Sequence, residues 1–350
     1  MSRDGRIAAL AERALETRLF PGCVVGYVRR GQAVVKPFGR LSYEVGAPET
    51  ADDTVYDVAS ITKSIPTAAL ILKLAEQGHL GLDDPVVRYL PELSNAYRER
   101  ILIRHLLTFT VSFDIGEPLA AVAKREPERL VELVMHAPVP VAPGERYLYT
   151  NAPSLLLGMI AERISDKPLD ELARGVLFGQ LGMERTTFRP QAGDAGVAPS
   201  ALEADGEVRG VAHDPAARAL IARGRVPGHA GLFSTAPDLL RFAQMLLGGG
   251  KLDDNQVFKA ATVRSMSMDQ TSQLGIGMSL GWSLRRPEFM GSQVSSGAFG
   301  KTGFTGCVIV VDPIKKRAMV VLSNRTYPEP SDWGAVHRFM AALSDVVFAA

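Results

Sequence analysis

Short apolar runs rich in β-branched residues stand near both ends of this chain, and helical periodicity fills most of the stretch between them. GCVVGYVRRGQAVVKPFG, residues 22–39, reads as two strands around a turn at Arg30 and Gly31. FTGCVIVVD and RAMVVLSNR form a second pair, split by Pro313, Lys315 and Lys316, before SDWGAVHRFMAALSDVVF closes the chain with a helical pattern. From about residue 60 to 250 the segments SITKSIPTAALILKLAEQG, PERLVELVMHA, NAPSLLLGMIAERISD and APDLLRFAQMLLGGG have helical period. Helices are segregated from strands, which argues against a doubly wound βαβ chain. The pattern predicts a mixed α/β fold: an antiparallel sheet flanked by helices from residues 1–59 and 236–350, with an inserted mainly helical domain over 60–235.

Of the 350 residues, 46% are hydrophobic and 22% charged, enough to bury a sizeable core. With 39 Lys and Arg against 38 Asp and Glu, there is no electrostatic reason to expect nucleic acid or an acidic membrane as partner. In MSRDGRIAALAERALETRLFPG charges interrupt every apolar stretch, so it reads as an amphipathic helix with Ile7, Leu10, Ala11, Ala14 and Leu15 at helical spacing, not as an export signal. A cytoplasmic chain is the expectation. Cys23 and Cys307 are expected to be buried small hydrophobes. The six histidines show no paired spacing typical of a metal site, and neither metal nor cofactor is expected.

The chemistry is concentrated in three short motifs. Ser60-Ile61-Thr62-Lys63 precedes an apolar stretch expected to form one helix to Gln77, stopped at Gly78. A Ser there is by default a helix N-cap, and Ser-x-x-Lys arises about once by chance in a chain of this length. Residues three apart on a helix nonetheless share a face, so the amine can reach the hydroxyl, and burial together with the helix dipole lowers the amine toward use as a base. Tyr149-Thr150-Asn151 begins a helical run and alone is a turn with an N-cap. Lys301-Thr302-Gly303 reads as the entrance to the strand FTGCVIVVD and alone is an edge-strand lysine beside a glycine.

Taken in this order, Ser-x-x-Lys, Tyr-x-Asn and Lys-Thr-Gly make the chain resemble the class C β-lactamases, their penicillin-binding peptidase relatives and the β-lactamase-like (family VIII) esterases. TVYDVASITKS, GHLGLDDPVVRYLPE, PGERYLYTNAPSLLLGMIAE, GHAGLFSTAPDLLRFAQMLL and FGKTGFTG also resemble family segments, over roughly residues 5 to 345. The resemblance implies an active site between the sheet domain and the helical domain, with Ser60 as nucleophile, Lys63 as its partner, Tyr149 as proton shuttle and Asn151 as a substrate amide contact. It implies Lys301, Thr302, Gly303 and Phe304 as substrate-binding, with the N–H groups of Ser60 and Phe304 as the oxyanion hole. A cation about 4 Å from a phenol at an effective dielectric near 20 contributes on the order of 4 kcal/mol, about three pKa units, so two flanking lysines are expected to bring Tyr149 down toward neutrality.

A rival nucleophile stands at Gly277-Met278-Ser279-Leu280-Gly281, with Asp312 and His337 following in the order of an α/β-hydrolase triad. That elbow requires a strand before and a helix after, whereas Trp282–Arg286 runs into Pro287. His213-Asp214 and Gly228-His229-Ala230-Gly231 are expected to have structural roles in loops near the cleft. Where relatives commonly carry a His and then a Ser-Gly pair, this chain has Phe109 and Val111-Ser112-Phe113. Phe304, with Phe299, Tyr147 and Trp282, is expected to form an apolar wall suited to acyl or aryl esters. The expected function is therefore a serine hydrolase acting on a small ester or amide through an acyl-enzyme, foremost a carboxylesterase. Lys301 keeps a β-lactamase or D-Ala-D-Ala carboxypeptidase as the alternative, since those substrates carry a carboxylate. A non-catalytic β-lactam-binding sensor is a third reading.

Overall fold

The computed structural model describes residues 1–191 and 193–349. Its sheet draws strands from both ends of the chain: β1 (Gly22–Arg29), β2 (Gln32–Gly39), β3 (Ser283–Leu284), β4 (Phe299–Gly303), β5 (Cys307–Asp312) and β6 (Arg317–Ser323). Their spatial order is β2-β1-β6-β5-β4-β3, every pair antiparallel. Arg30 and Gly31, at φ 52° and 79°, make the tight hairpin turn expected between β1 and β2.

Alternation along the strands divides the sheet residues between two apolar layers. Cys23, Val25, Val308, Val310, Met319 and Val321 pack with Ile7, Ala11 and Ala14 of α1 (Arg3–Glu16) and with Val336, Met340, Leu343 and Val347 of the terminal helix Trp333–Phe348. Val24, Val28, Ile309, Val311, Ala318, Val320 and Leu322 belong to the second layer, shared with Leu239, Leu240 and Ala243 of the helix Ala236–Leu247 and with the central helical segments. Each large aliphatic side chain so enclosed stabilises the fold by about 1.5–3 kcal/mol, and a one-residue slip would exchange the two faces. Both cysteines are buried and free, and burial pushes the Cys307 thiol up to about 12.

Two expectations fail locally. Residues 60–77 do not form one helix: a 3₁₀ turn covers Ala59–Lys63, Ile65 lies outside helical space at φ −124° and ψ 108°, and α2 begins only at Ala69 and ends at Glu76. Ile65 precedes Pro66, whose ring disfavours helical conformation in the residue before it. Lys301-Thr302-Gly303 does not lead into the next strand either. It ends β4, and residues 304–306 form the turn into β5. Two glycines weaken the β signal of FGKTG, yet the packing requires both: a Cβ on Gly300 would lie 2.6 Å from the Ile309 carbonyl oxygen, and one on Gly303 would lie 2.2 Å from that of Val58.

Candidate active site

Gly303 allows the end of β4 to lie directly against the turn carrying Ser60. Asp57 holds the entrance of that turn. One carboxylate oxygen accepts from the Ala59 N–H at 2.7 Å and the other from the His213 N–H at 2.7 Å. Burial pushes this carboxyl up to about 6, against the pull of those two N–H groups. Ala59 is held at φ 46°, a conformation that costs a non-glycine residue about 1–2 kcal/mol. Ser60 is no N-cap: it lies within the 3₁₀ turn, and the side chain at the cap position, Val58, accepts no hydrogen bond. Residues three apart eclipse in a 3₁₀ turn, and the Lys63 Nζ sits 2.9 Å from the Ser60 Oγ.

Lys63 is 2% exposed, and its Nζ also donates to the His229 carbonyl oxygen at 2.9 Å. Burial lowers its pKa to about 8, opposed by the negative charge of Asp214. That carboxylate sits on the N-cap residue of the helix Pro215–Ala222, where it accepts from the Ala217 N–H at 2.8 Å. It lies 3.1 Å from the His229 Nε2 and accepts from the Asn151 Nδ2 at 3.3 Å. Burial pushes the Asp214 carboxyl up, but His229, Ala217 and Lys63 together hold it far below the usual carboxylate range. Asn151 occupies the cap position of the helix Ala152–Ser165, yet its side chain turns to Asp214 and makes no cap.

Tyr149 brings the second motif to the same place. Its ring centroid is 5.2 Å from the Lys63 Nζ and 4.4 Å from the Lys301 Nζ. Phe109, buried and at φ 56°, packs its ring 4.9 Å from that of Tyr149, and the Phe109 ring is itself 5.0 Å from the Lys301 Nζ. Phe109 thus supports the phenol and covers one amine. Tyr149 is 41% exposed as a residue, but its hydroxyl end lies against Ser60. Burial of that end pushes the phenol upward, against a downward pull from the Ser60 hydroxyl.

This reverses the expected effect of the lysines. Lys301 is 3% exposed, and burial, then the charges of Lys63 and Arg286, hold its amine well below the ordinary value. Lys301 thus favours its neutral form and Lys63, lowered only to about 8, does not, so one of the two cations expected to acidify the phenol is lost and burial of the phenol prevails.

Ser60, Tyr149, Lys301, Thr302 and Phe304 line one cavity of about 330 Å³. Tyr147, Phe289, Trp333 and His337 form its aromatic side, and Arg286 and Glu288 also border it. Trp282 and Phe299, expected on this wall, are buried in the core, packed edge to face at 5.3 Å. Phe289, Trp333 and His337 stand there instead. Phe289 comes from one segment, and Trp333 and His337 from the first turns of the terminal helix, and they carry no common motif.

The rival triad does not assemble. Ser279 is fully buried and donates to the Met266 carbonyl oxygen at 2.6 Å, in a tight turn closed by the bridge Met278–Ser283. Asp312 accepts from Ser295 and from the Lys315 N–H, while His337 lines the Ser60 cavity.

The family model described as Beta-lactamase matches residues 7–338 of this chain. The chain belongs to the beta-lactamase family. Two proteins named putative D-alanyl-D-alanine carboxypeptidase are similar to this beta-lactamase family member. The one from Escherichia coli (strain K12) is 31% identical over 309 residues, covering 80% of this chain and 71% of its own. The one from Salmonella typhi is 29% identical over 310 residues, covering 79% and 70%. Among solved structures, "EstCE1, a hydrolase with promiscuous acyltransferase activity" superposes with a TM-score of 0.80 at 22% identity, covering 99% of this chain and 98% of its own. "A class C beta-lactamase" does so with a TM-score of 0.77 at 19% identity, covering 97% and 95%. At these identities the structures establish a common fold. The motif resemblance thus meets both the family and the fold, and the protein is a beta-lactamase-like serine hydrolase. Among the described residues, no helix is long and apolar enough to cross a membrane.

Proposed function

We propose that the protein is a carboxylesterase that cleaves small esters through an acyl-enzyme on Ser60. The observation that carries this reading is the buried Lys63 amine, lowered to about 8, at 2.9 Å from the Ser60 Oγ in a cavity with an aromatic side. The neutral amine takes the Ser60 proton as Oγ bonds to the ester carbonyl carbon, and the N–H groups of Ser60 and Phe304 receive the negative charge on oxygen. One such donor is worth about 3–4 kcal/mol in the transition state. Tyr149, kept protonated by the upward push on its phenol, gives its proton to the departing alkoxide as the carbon–oxygen bond breaks, and the Lys63 ammonium restores it. Water then attacks the acyl carbon, its proton returns through the same groups, and Ser60 departs with a proton.

Lys301 and Thr302 line the Ser60 cavity, Gly303 lets their strand end lie against the Ser60 turn, and the Asn151 amide, which also donates to Asp214, is the proposed contact for a substrate carbonyl. Lys301 also supports the second reading, a β-lactamase or D-Ala-D-Ala carboxypeptidase, because its amine borders the cavity without a carboxylate partner among the described residues. Purified protein, with Ser60→Ala as control, distinguishes the readings on short p-nitrophenyl esters, a chromogenic cephalosporin and a D-Ala-D-Ala peptide. The expected order of kcat/KM places the esters first. A preference for the cephalosporin or the peptide by orders of magnitude removes the esterase assignment, and lasting acylation by the cephalosporin without ester turnover favours a sensor.

Asp214 is expected to act through Lys63. The groups facing that amine are Ser60, Tyr149, the His229 carbonyl, Lys301 and the Asp214 carboxylate, which is the anion among them. Removing its charge with Asp214→Asn lowers the Lys63 pKa further, so the midpoint of the kcat/KM profile moves to lower pH. A purely structural role would reduce the amplitude and leave the midpoint where it was.

A further inference from the structure

Phe304 stands 47% exposed at the cleft, and it is the middle of a run of rings drawn from distant segments. It stacks on His213 with centroids 5.5 Å apart and planes 22° from parallel, and its centroid lies 6.2 Å from that of Trp333. Trp333 in turn lies 4.3 Å from His337. Phe304, Trp333 and His337 all line the cavity that holds Ser60.

Beneath two of these rings lies a cation with no place in the mechanism above. The Arg325 guanidinium is 4.3 Å from the Phe304 centroid and 4.6 Å from the Trp333 centroid, and the residue is only 2% exposed. It forms no ion pair among the described residues; the nearby Asp332 pairs with Arg338. Arg325 instead donates from Nε to the Phe304 carbonyl oxygen at 2.6 Å and from its terminal nitrogen to the Ser331 carbonyl oxygen. Its own N–H bonds the Thr305 carbonyl oxygen at 3.0 Å, and its carbonyl accepts from the Ser331 N–H at 3.0 Å. Burying an unpaired cation is costly, and here the compensation comes from carbonyl oxygens and aromatic faces. Those same contacts fix Phe304 and Trp333 with their rings at the cleft. Burial, together with the positive charge of Arg325, also lowers both His213 and His337, so the run is uncharged at neutral pH.

We propose that Phe304 and Trp333, held in place by Arg325, form a subsite for an aromatic ring, so that the substrates of this site are esters bearing an aryl group. The inference rests on Ser60 being the esterase nucleophile. Fixed aromatic rings beside a nucleophile favour a flat ring over a puckered one of similar size, because edge-to-face or offset contact adds to simple burial while little side-chain freedom is lost on binding.

The test uses two matched pairs of esters. Benzyl and cyclohexylmethyl acetate share the acyl group, and p-nitrophenyl phenylacetate and cyclohexylacetate share the leaving group. Each ratio of kcat/KM is independent of the fraction of enzyme that is folded. In the wild type the aryl member of at least one pair is expected to lead by roughly tenfold. Trp333→Leu and Phe304→Leu are each expected to bring that ratio to within about twofold of unity. Equal rates within both pairs in the wild type, a lead for the cyclohexyl members, no turnover of any of the four esters, or a ratio that survives both substitutions would overturn the subsite. Failure of the nucleophile assignment shows separately, as turnover of p-nitrophenyl acetate retained in Ser60→Ala.

Discussion

Ser60→Ala is expected to lower kcat for a p-nitrophenyl ester by roughly 10⁴ to 10⁶-fold, leaving only what binding and the oxyanion donors provide. The size of the loss follows from the geometry, because Ser60 carries the serine hydroxyl that the Lys63 amine touches. Ser279 is the alternative that the sequence offers, and its hydroxyl is committed to the Met266 carbonyl oxygen in a fully buried turn. Ser279→Ala is therefore expected to preserve turnover while costing about 1 kcal/mol of stability for the lost hydrogen bond. Steady-state kinetics on the two variants, with thermal unfolding alongside, checks both halves. Activity surviving in Ser60→Ala and vanishing in a folded Ser279→Ala would reverse the assignment.

Lys63→Met is expected to lower kcat/KM by about 10³-fold, within the range that a positioned base contributes. The pH dependence carries the sign. Below its pKa Lys63 is an ammonium and cannot accept the Ser60 proton; above it the amine is free. The wild-type kcat/KM for a neutral ester should rise with pH through about 8, following the value to which burial brings the amine. Lys63→Arg keeps a cation in place but stays protonated at every accessible pH, so it is not expected to rescue activity. A profile that is flat between about pH 6 and pH 9, or recovery in Lys63→Arg, would assign the base elsewhere.

Much of this site could be read from the chain because each of its parts sits within three or four consecutive residues. Ser60 and Lys63 share one turn, Tyr149 and Asn151 one helix entrance, and Lys301 to Gly303 one strand end. The sheet was legible for a similar reason, since β1, β5 and β6 are continuous apolar runs buried on both faces. β4 escaped notice because Gly300 and Gly303, required by close backbone approach, weaken its strand pattern. The break in the helix after Lys63 did carry a signal, Pro66, which the strong apolar period around it outweighed.

The cleft wall is a different case. Trp282 and Phe299 lie near the Lys-Thr-Gly motif in sequence but belong to the core, whereas Trp333 and Phe289 reach the cleft from segments whose aromatics look no different in sequence. The charge state of Tyr149 was illegible for another reason. It depends on whether its two neighbouring amines are charged, and this is decided by their burial.

The central claim is that a substrate's acyl group becomes bonded to the Ser60 oxygen. Mixing the wild-type protein briefly with p-nitrophenyl acetate, quenching in acid and mapping its peptides by mass spectrometry measures this directly. The predicted result is an added acetyl group on the peptide containing Ser60, absent in Ser60→Ala. A burst of p-nitrophenol with the acetyl group on any other residue would contradict it.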